Sequence, residues 1–241
     1  MRAILVDWLI DVHNKFKMLH QTLFLTVNLI DRFLEVYKCE RNKLQLVGIS
    51  CLFLASKYEE IYPPDLKEFV LVCDKTYNRN EIIEMEGLII SSLNFDIVFT
   101  SSFQFHEMFC QKRKDNIISC CLILIFSHFF HAKGLIVNIE GQTFHLGLYL
   151  MYLSTMEFSM ARYRPSQMAL SAIYLSNKFL KSDKWRKELP QVIGCVENDI
   201  KNCSLDMLLL VNKIKRSSLS AVIRKFSSKK HLSVSKIQIK M

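Results

Sequence analysis

The first seventeen residues carry apolar side chains on two helical faces rather than one. One stripe is formed by Met1, Ile4, Leu5 and Trp8. The other stripe is formed by Leu5, Leu9, Val12 and Phe16. Both have the three- and four-residue spacing of an α-helix, so the segment is predicted to be helical. A helix with two apolar faces is either buried on all sides or leaves one face open to a partner, and full burial is the default expectation.

The same spacing predicts further helices in the first hundred residues, over 21–36, 43–58, 65–72 and 80–93. The predicted N-caps are Thr22, Asp65 and Asn80, because their side chains accept hydrogen bonds from the first backbone N–H groups of a helix. Residues 43–58 are apolar almost all round and include small side chains at 48, 50, 55 and 56. Small side chains let neighbouring helices approach closely, so this segment is predicted to be the central helix. Residues 95–102 are predicted to be extended or irregular.

The second half of the chain repeats this order in outline. Helices are predicted over residues 103–109, 141–157, 167–179, 205–214 and 219–230. Small residues recur within 167–179, which again is typical of a central buried helix; they are Ala169, Ser171, Ala172 and Ser176. No strand-like alternation is present, so the chain is predicted to be all-α. The expected domains are a helical bundle over 1–101, a second bundle over 102–225, and a basic tail over 226–241.

Composition supports long helices and an intracellular setting. The 241 residues include only 6 Gly and 4 Pro, few turn formers for a protein of many short strands. The 8 cysteines include no Cys-x-x-Cys pair, which predicts reduced, buried thiols and no metal site. His128 and His131 have metal-ligand spacing, but without an evident third ligand they are expected to be incidental. The longest apolar run, 117–130, is too short to cross a membrane, and no secretory signal opens the chain.

The positive charge of the chain is concentrated at its C-terminal end. The formal net charge is +9, and all of it arises at and after Lys201, where Asp206 is the single acid. Such a segment is by default a solvated tail, although a nuclear-import signal or a surface for an acidic partner remain open. The first 200 residues sum to zero, so direct binding of nucleic acid is not expected of the two bundles.

Several stretches resemble the cyclin family closely. In the first hundred residues they are MRAILVDWLIDVH at 1–13, TLFLTVNLIDRFL at 22–34, KLQLVGISCLFLASKYEEIYPPDLKEFV at 43–70 and EMEGLIISSLNFDI at 84–97. In the second half, YRPSQMALSAIYLS at 163–176 and KFSSKKHLSVSKI at 225–237 look like the second box and tail of mitotic, B-type cyclins. The resemblance implies an all-α fold of two tandem cyclin-box bundles with about five helices each.

The resemblance implies that the chain is not an enzyme and needs no cofactor. Cyclins are regulatory subunits that bind and activate a cyclin-dependent protein kinase, so a heterodimer with such a kinase is expected, with control of G2/M progression in nucleus and cytoplasm. The family's kinase-binding residues fall on Lys57, Tyr58, Glu59, Glu86, Phe95 and Ile97. From the residues alone, Lys57 and Glu86 would be expected to pair with each other or with water on a solvated face.

The resemblance also implies a groove that docks substrates or inhibitors carrying short Arg-x-Leu segments. An exposed Trp in an apolar trough with an acid at its rim suits a peptide with a basic residue and a Leu anchor. The groove residues implied are Met1, Ile4, Leu5, Trp8, Asp11, Arg41, Leu44, Gln45 and Val72. Asp11 stands where relatives commonly have Glu, so weaker docking is expected.

The chain departs from the cyclin pattern in two places. Relatives carry a helix and a degradation signal ahead of the position of Met1, so kinase affinity and timed destruction are expected to differ. Residues 111–140 do not resemble the corresponding stretch of cyclins and are interpreted as an atypical insertion, with translated intron as the hypothesis.

Three alternatives stand beside the activating subunit. A nucleic-acid-binding protein of the same helical fold, like some transcription factors, would use the basic tail and bind DNA in a salt-sensitive way. An enzyme is disfavoured because no His–carboxylate constellation, phosphate loop or Cys/His arrangement is evident. A truncated paralogue that no longer activates a kinase is the third.

Overall fold

The computed structural model of the chain describes residues 1–110, 141–182, 197–214 and 216–237. Within these ranges the regular structure is helical and no strand occurs, which confirms the predicted all-α class. The chain divides into two units, Met1–Ser101 and Ser102–Met241. None of the helices in the described ranges has the length and apolar character needed to cross a bilayer. The predicted insertion 111–140, with His128 and His131, lies outside the described residues.

The first unit contains five α-helices in the described chain: α1 (Arg2–Lys15), α2 (His20–Val36), α3 (Leu44–Glu59), α4 (Leu66–Val72) and α5 (Arg79–Ser92). A 3-10 turn, Arg41–Lys43, leads into α3. All five helices match predicted segments within two residues, because each has a clear apolar period and a polar or proline-containing end.

Two of the three predicted N-caps in this unit are wrong. Leu19 precedes α2, and Thr22 is a buried residue inside the helix whose hydroxyl donates to the Glu60 carboxylate. Asn78, rather than Asn80, caps α5: its side chain accepts from the Glu81 N–H at 3.0 Å, and Glu81 accepts from the Asn78 N–H at 2.8 Å. This reciprocal capping box places the N-cap two residues earlier, and the first helical residue one residue earlier, than predicted. Asp65 does occupy the N-cap position of α4, without a side-chain bond to the helix.

Helix α3 is the centre of the first unit, as predicted. Every residue from Leu46 to Ser56 is buried, and the helix packs against α1, α2, α4 and α5. Gly48 allows α1 to approach closely, since a Cβ atom at this position would lie 2.7 Å from Cδ1 of Leu5 on α1. Ser50 uses its small hydroxyl to bond the Ile82 carbonyl of α5 at 3.3 Å. Small residues therefore bring the surrounding helices into direct contact with α3.

The second unit contains α6 (Ser102–Cys110), α7 (Gln142–Met156), α8 (Pro165–Phe179), α9 (Glu197–Ile214) and α10 (Ala221–Phe226). Helix α8 packs against α6, α7 and α9, which confirms the prediction of a central helix there. Pro165 is its first residue, where the missing N–H costs no hydrogen bond. Helix α9 begins eight residues before the predicted segment, and α10 is half the predicted length.

The predicted solvated tail is wrong for the described part of the segment 226–237. Phe226, His231 and Val234 are buried, and two further 3-10 turns, Lys229–His231 and Val234–Lys236, follow α10. The Phe226 ring meets Tyr149 and Tyr152 of α7 edge-on, with ring centroids 5.6 and 5.2 Å apart. Burying these three side chains contributes a favourable free energy, while the charged side chains between them stay in solvent. The segment is therefore an integral part of the second unit.

Candidate functional site

A charged pair lies at the end of the central helix of the first unit. Lys57 Nζ on α3 forms an ion pair with the Glu86 carboxylate on α5. The ammonium also lies 4.5 Å from the centre of the Phe53 ring, one turn earlier on α3. The Lys57 side chain is 44% exposed, whereas Glu86 is 12% exposed. The structure thus brings together two residues, 29 positions apart in the sequence, that the family resemblance assigns to one function.

The other residues that the resemblance assigns to kinase binding differ in their exposure. Tyr58 is 49% exposed and Phe95 is 71% exposed. Ile97 is half-buried and packs against the core of the first unit. Glu59 is half-buried as well, and burial together with the Glu60 carboxylate raises its pKa. Without a partner these rings expose apolar surface to water, which is typical of a protein-interaction site when the residues cluster.

The backbone itself holds Phe95 in solvent. Asn94 and Phe95 both have left-handed conformations, with φ angles of 51° and 58°. This conformation costs on the order of 1 kcal/mol for a non-glycine residue. The Phe95 N–H donates to the Ile90 carbonyl at 2.9 Å, so the turn is fixed by the end of α5. An aromatic residue kept exposed in a strained turn is a candidate for binding.

Further apolar residues of the first unit are exposed that sequence reasoning did not single out, and four of them lie close in the chain to the predicted kinase-binding residues. They are Ile61 at 82%, Tyr62 at 91%, Ile83 at 48% and Val98 at 72%. Ile83 lies one turn before Glu86 on α5, and Ile61 and Tyr62 follow α3 directly. The prolines at 63 and 64 were a usable signal, because they prevent the preceding residues from folding back into a helix.

Helix α1 contributes to a second candidate surface, the predicted docking groove. Met1 is 67% exposed and Ile4 is 57% exposed, whereas Trp8 is half-buried against the core. Arg2 fixes the orientation of α1 through two hydrogen bonds of 2.7 Å to the Asp31 carboxylate of α2. Full burial of α1 is therefore wrong, and the two-face interpretation is correct for this helix.

The other predicted groove residues differ in their positions. Leu5 is a correction: it is 8% exposed and packs into the core beside Gly48, so it supports the surface and does not line it. Asp11, Leu44, Gln45 and Val72 are half-buried and Arg41 is exposed. Their elements are neighbours, since α3 packs against α1, α4 and the turn at 41–43. Leu71, which is 57% exposed on α4, was missed.

The second unit contains a group of titratable side chains that sequence reasoning did not identify. Nδ1 of His145 lies 3.3 Å from Nδ1 of His231. Burial and the neighbouring cations lower the pKa of His231 to about 4. Burial, followed by the Lys230 charge, lowers the pKa of Lys225 to about 7, and Lys225 Nζ lies 4.7 Å from the Tyr152 ring centre. His106, fully buried beneath α7, has its pKa lowered to about 3 by burial.

Metal-ligand chemistry is not supported by the described part of the chain. Within it, no three His, Cys, Asp or Glu side chains are arranged to hold a metal ion. The described cysteines are free thiols, and burial raises the pKa of Cys73 to about 11 and of Cys203 to about 12. Such thiols are protonated at neutral pH and are poor nucleophiles.

Comparison with known proteins gives one consistent answer over both units. The family described as "Cyclin, N-terminal domain" matches residues 1–98, and "Cyclin, C-terminal domain" matches residues 108–240. The G2/mitotic-specific cyclin-B of Spisula solidissima is 37% identical over 237 residues, which are 98% of this chain and 50% of the relative. The human G2/mitotic-specific cyclin-B2 is 36% identical over 239 residues, 98% of this chain and 54% of the relative. The chain thus spans about half the length of the curated relatives that it matches.

Solved structures show the same fold at low sequence identity. A viral cyclin from herpesvirus saimiri matches with a TM-score of 0.67 at 15% identity, covering 88% of this chain and 84% of that chain. A chain of the yeast RNA Pol II CTD kinase CTDK-1 complex matches with a TM-score of 0.65 at 13% identity, covering 100% of this chain and 78% of that one.

Proposed function

Because this chain belongs to the cyclin family, we propose that it is a non-catalytic subunit that binds and activates a cyclin-dependent protein kinase. The observation that carries the proposal is the Lys57–Glu86 pair together with the exposed side chains of Tyr58 and Phe95 in the same unit. Binding hot spots typically combine charged groups with aromatic rings that lose their contact with water when the partner binds. Glu59, Ile97 and the newly identified Ile61, Tyr62, Ile83 and Val98 extend the proposed kinase-binding surface.

The pair is suited to binding by its unequal exposure. Glu86 is largely shielded and holds the Lys57 ammonium above Phe53, so the lysine is positioned before a partner arrives. A positioned side chain loses less conformational entropy on binding than a mobile one. In the complex, the Lys57 ammonium and the Glu86 carboxylate would interact less with each other and would form hydrogen bonds to the kinase backbone.

We further propose that the exposed stripe of α1 docks substrates and inhibitors with Arg-x-Leu segments. Met1, Ile4 and Trp8 would receive the leucine, and Asp11 would attract the arginine. Arg41, Leu44, Gln45 and Val72 would border the groove, and Leu71 is added to it. The relatives' names support a G2 or mitotic role, and action in nucleus and cytoplasm follows from that role.

Co-expression with a mitotic cyclin-dependent kinase tests the first proposal. We expect the two chains to co-purify and the kinase to phosphorylate a basic substrate protein. Phe95→Ala should weaken the complex about tenfold or more, because the exposed ring contributes binding without supporting the core. Phe158→Ala is the matched control, since Phe158 is 63% exposed in the second unit. A folded chain that forms no complex with the kinase would contradict the proposal.

The docking groove needs a separate readout. Ile4→Ala should leave phosphorylation of a simple peptide unchanged and reduce, by about five- to tenfold, that of a substrate carrying an Arg-x-Leu segment. Leu209→Ala on α9, at a residue 56% exposed, serves as the control. Equal rates for both substrates in the Ile4 variant would count against the groove while leaving kinase binding intact.

A further inference from the structure

The C-terminal segment 216–237 makes a fixed turn on the surface of the second unit. Phe226 before the turn and Val234 after it are fully buried, so both sides of the turn are anchored. The Ser228 carbonyl accepts hydrogen bonds from the N–H groups of His231 and Ser233, both at 3.1 Å. Leu232 and Ser233 adopt left-handed conformations, with φ angles of 52° and 51°. The turn is therefore held by its own backbone and by the core beneath it.

Three serines lie in this turn, and Ser228 is the most exposed of them. Ser227 is half-buried and donates to the Arg224 carbonyl at 2.8 Å. Ser233 is half-buried and donates to the Ser227 carbonyl at 3.0 Å. Ser228 is exposed, and its hydroxyl donates to the Lys225 carbonyl at 2.9 Å, at the outer surface of the turn.

Positive charge surrounds the exposed serine on both sides. Arg224 and Lys225 precede it, and Lys229 and Lys230 follow it, while residues 216–237 include no Asp or Glu. The cations lie close enough to affect one another, since the Lys230 charge contributes to lowering the pKa of Lys225 and of His231. A concentration of like charge is destabilising in itself and is relieved when a negative group is added.

We propose that Ser228 is a phosphate-acceptor site for a protein kinase that recognises basic residues on the N-terminal side of serine. The Ser228 oxygen forms a bond to the γ-phosphorus of a nucleoside triphosphate. The bond from that phosphorus to the nucleoside diphosphate oxygen breaks, and the hydroxyl proton passes to the base of the modifying kinase. Arg224 and Lys225, four and three residues before the serine, supply the charges that an acidic substrate groove selects.

The modification strengthens the attachment of the segment to α7. A phosphoserine carries a charge of about −1.5 to −2 near neutral pH and accepts several hydrogen bonds from nearby ammonium groups. The bond from the Ser228 hydroxyl to the Lys225 carbonyl is lost, because the ester oxygen has no proton. The new charge offsets the repulsion between Lys225 and Lys230, so the segment opens less often.

Phosphorylation of the whole folded chain tests the site. A protein kinase that selects basic residues four and three positions before serine is used with ATP, and the phosphate is located by mass spectrometry. We expect one phosphate at Ser228, its loss in Ser228→Ala, and its retention in the matched control Ser227→Ala. Replacing Arg224 and Lys225 together by Gln should slow incorporation by about tenfold. Phosphate at Ser227 or Ser233, or equal incorporation in Ser228→Ala, would overturn the assignment.

The effect on the segment is read independently by hydrogen exchange. Amides of residues 221–237 should exchange more slowly in the phosphorylated chain than in the unmodified chain, with residues 44–59 of the first unit unchanged as an internal control. Unchanged or faster exchange at 221–237 would overturn the stabilising role. Neither result depends on kinase binding by the first unit.

Discussion

The two helical units use the same internal contact and differ at the surface above it. In the first unit, Ser50 of the central helix bonds the Ile82 carbonyl of α5 at 3.3 Å. In the second unit, Ser171 of the central helix bonds the Ile200 carbonyl of α9 at 3.2 Å. Each central helix places a lysine seven residues after this serine, and each lysine lies over the aromatic ring one turn before it.

The difference appears at the position opposite the lysine. Lys57 lies 4.5 Å from Phe53 and pairs with Glu86, four residues after Ile82. Lys178 lies 6.0 Å from Tyr174, and the residue four positions after Ile200 is Ser204, which is buried. The comparison teaches that the fold repeats while the charged pair does not. A binding surface is therefore expected on one unit and not on its structural counterpart.

The largest expected effect comes from reversing the charge at the two equivalent lysines. Lys57→Glu should weaken the proposed kinase complex about 100-fold, roughly 3 kcal/mol, because the reversed charge faces Glu86 and loses the partner's acceptors. Lys178→Glu should leave the affinity within about twofold. Isothermal titration or surface plasmon resonance measures both. Equal losses in the two variants would break the proposed asymmetry.

The next effect concerns the stability of the two cores. A Cβ atom on Gly147 of α7 would lie 2.4 Å from Nε2 of the buried His106 ring, with Ser176 Oγ at 3.4 Å. Gly147→Ala should therefore destabilise the second unit by about 2 kcal/mol, because the rigid ring must shift in a closed core. Hydrogen exchange of α7 and α8 measures this loss separately from the first unit.

Gly48→Ala in the first unit is the matched variant. Its new Cβ would lie 2.7 Å from the end of the Leu5 side chain, which can rotate away. Better helix propensity of alanine offsets part of that cost, so we expect a loss of about 1 kcal/mol or less. A larger loss at Gly48 than at Gly147 would show that the second core is the more adaptable of the two.

Acid should destabilise the second unit through its buried histidines. His106 and His231 have folded-state pKa values of about 3 and about 4, below the ordinary value of 6.5 for an exposed histidine. As the pH falls, the unfolded chain binds protons at these histidines before the folded chain does. Their contribution to the free energy of unfolding is therefore complete above about pH 6.5. It falls as the pH drops toward 4, by up to about 1.4 kcal/mol per pH unit for each histidine. Denaturant titrations at pH 7 and pH 5 measure the change.

His231→Gln isolates the contribution of the tail. This variant keeps a hydrogen-bonding side chain beside His145 but cannot titrate, so its loss of stability between pH 7 and pH 5 should be smaller. His145, Lys225 and Lys230 also face this position and carry the remaining charge. If the free energy of unfolding of this variant depends on pH as that of the unchanged chain does, groups other than His231 cause the loss of stability in acid.

The smallest effect is expected at Gly87 on the exposed face of α5. No atom lies within 4 Å of the Cβ position there, in contrast to the two buried glycines. Gly87→Ala should stabilise the first unit by about 0.5–1 kcal/mol, since alanine loses less backbone entropy in a helix. The residue is next to Glu86, so retained kinase binding in this variant would show that stability and binding are separable. Thermal denaturation measures the gain, and no gain would indicate a fraying α5.

Local sequence signals were sufficient where the structure depends on local interactions. Apolar periods located α1 to α5 within two residues, and α8 begins at Pro165, two residues before the predicted segment. The Asn78–Glu81 capping box is present in the sequence as an Asn-x-x-Glu pattern, so the local sequence contains the signal that favours Asn78 over Asn80.

Other features could not be read from local sequence because distant residues decide them. The basic tail looks solvated by composition, yet Phe226 at its start is buried because Tyr149 and Tyr152, more than seventy residues earlier, provide a surface for it. Leu5 and Ile4 are adjacent and equally apolar. Leu5 is buried because Gly48 leaves room for it on α3, whereas Ile4 faces solvent.

The sequence by itself determined the helical class, the two repeated bundles, the central small-residue helices and the cyclin family, since periodicity and motif spacing are properties of the chain. Only the tertiary structure decided which apolar residues remain in solvent, how Lys57 meets Glu86, and where the basic tail docks. Exposure and pairing depend on which helices share an interface. That arrangement is set by packing between residues far apart in the chain, which no local pattern encodes.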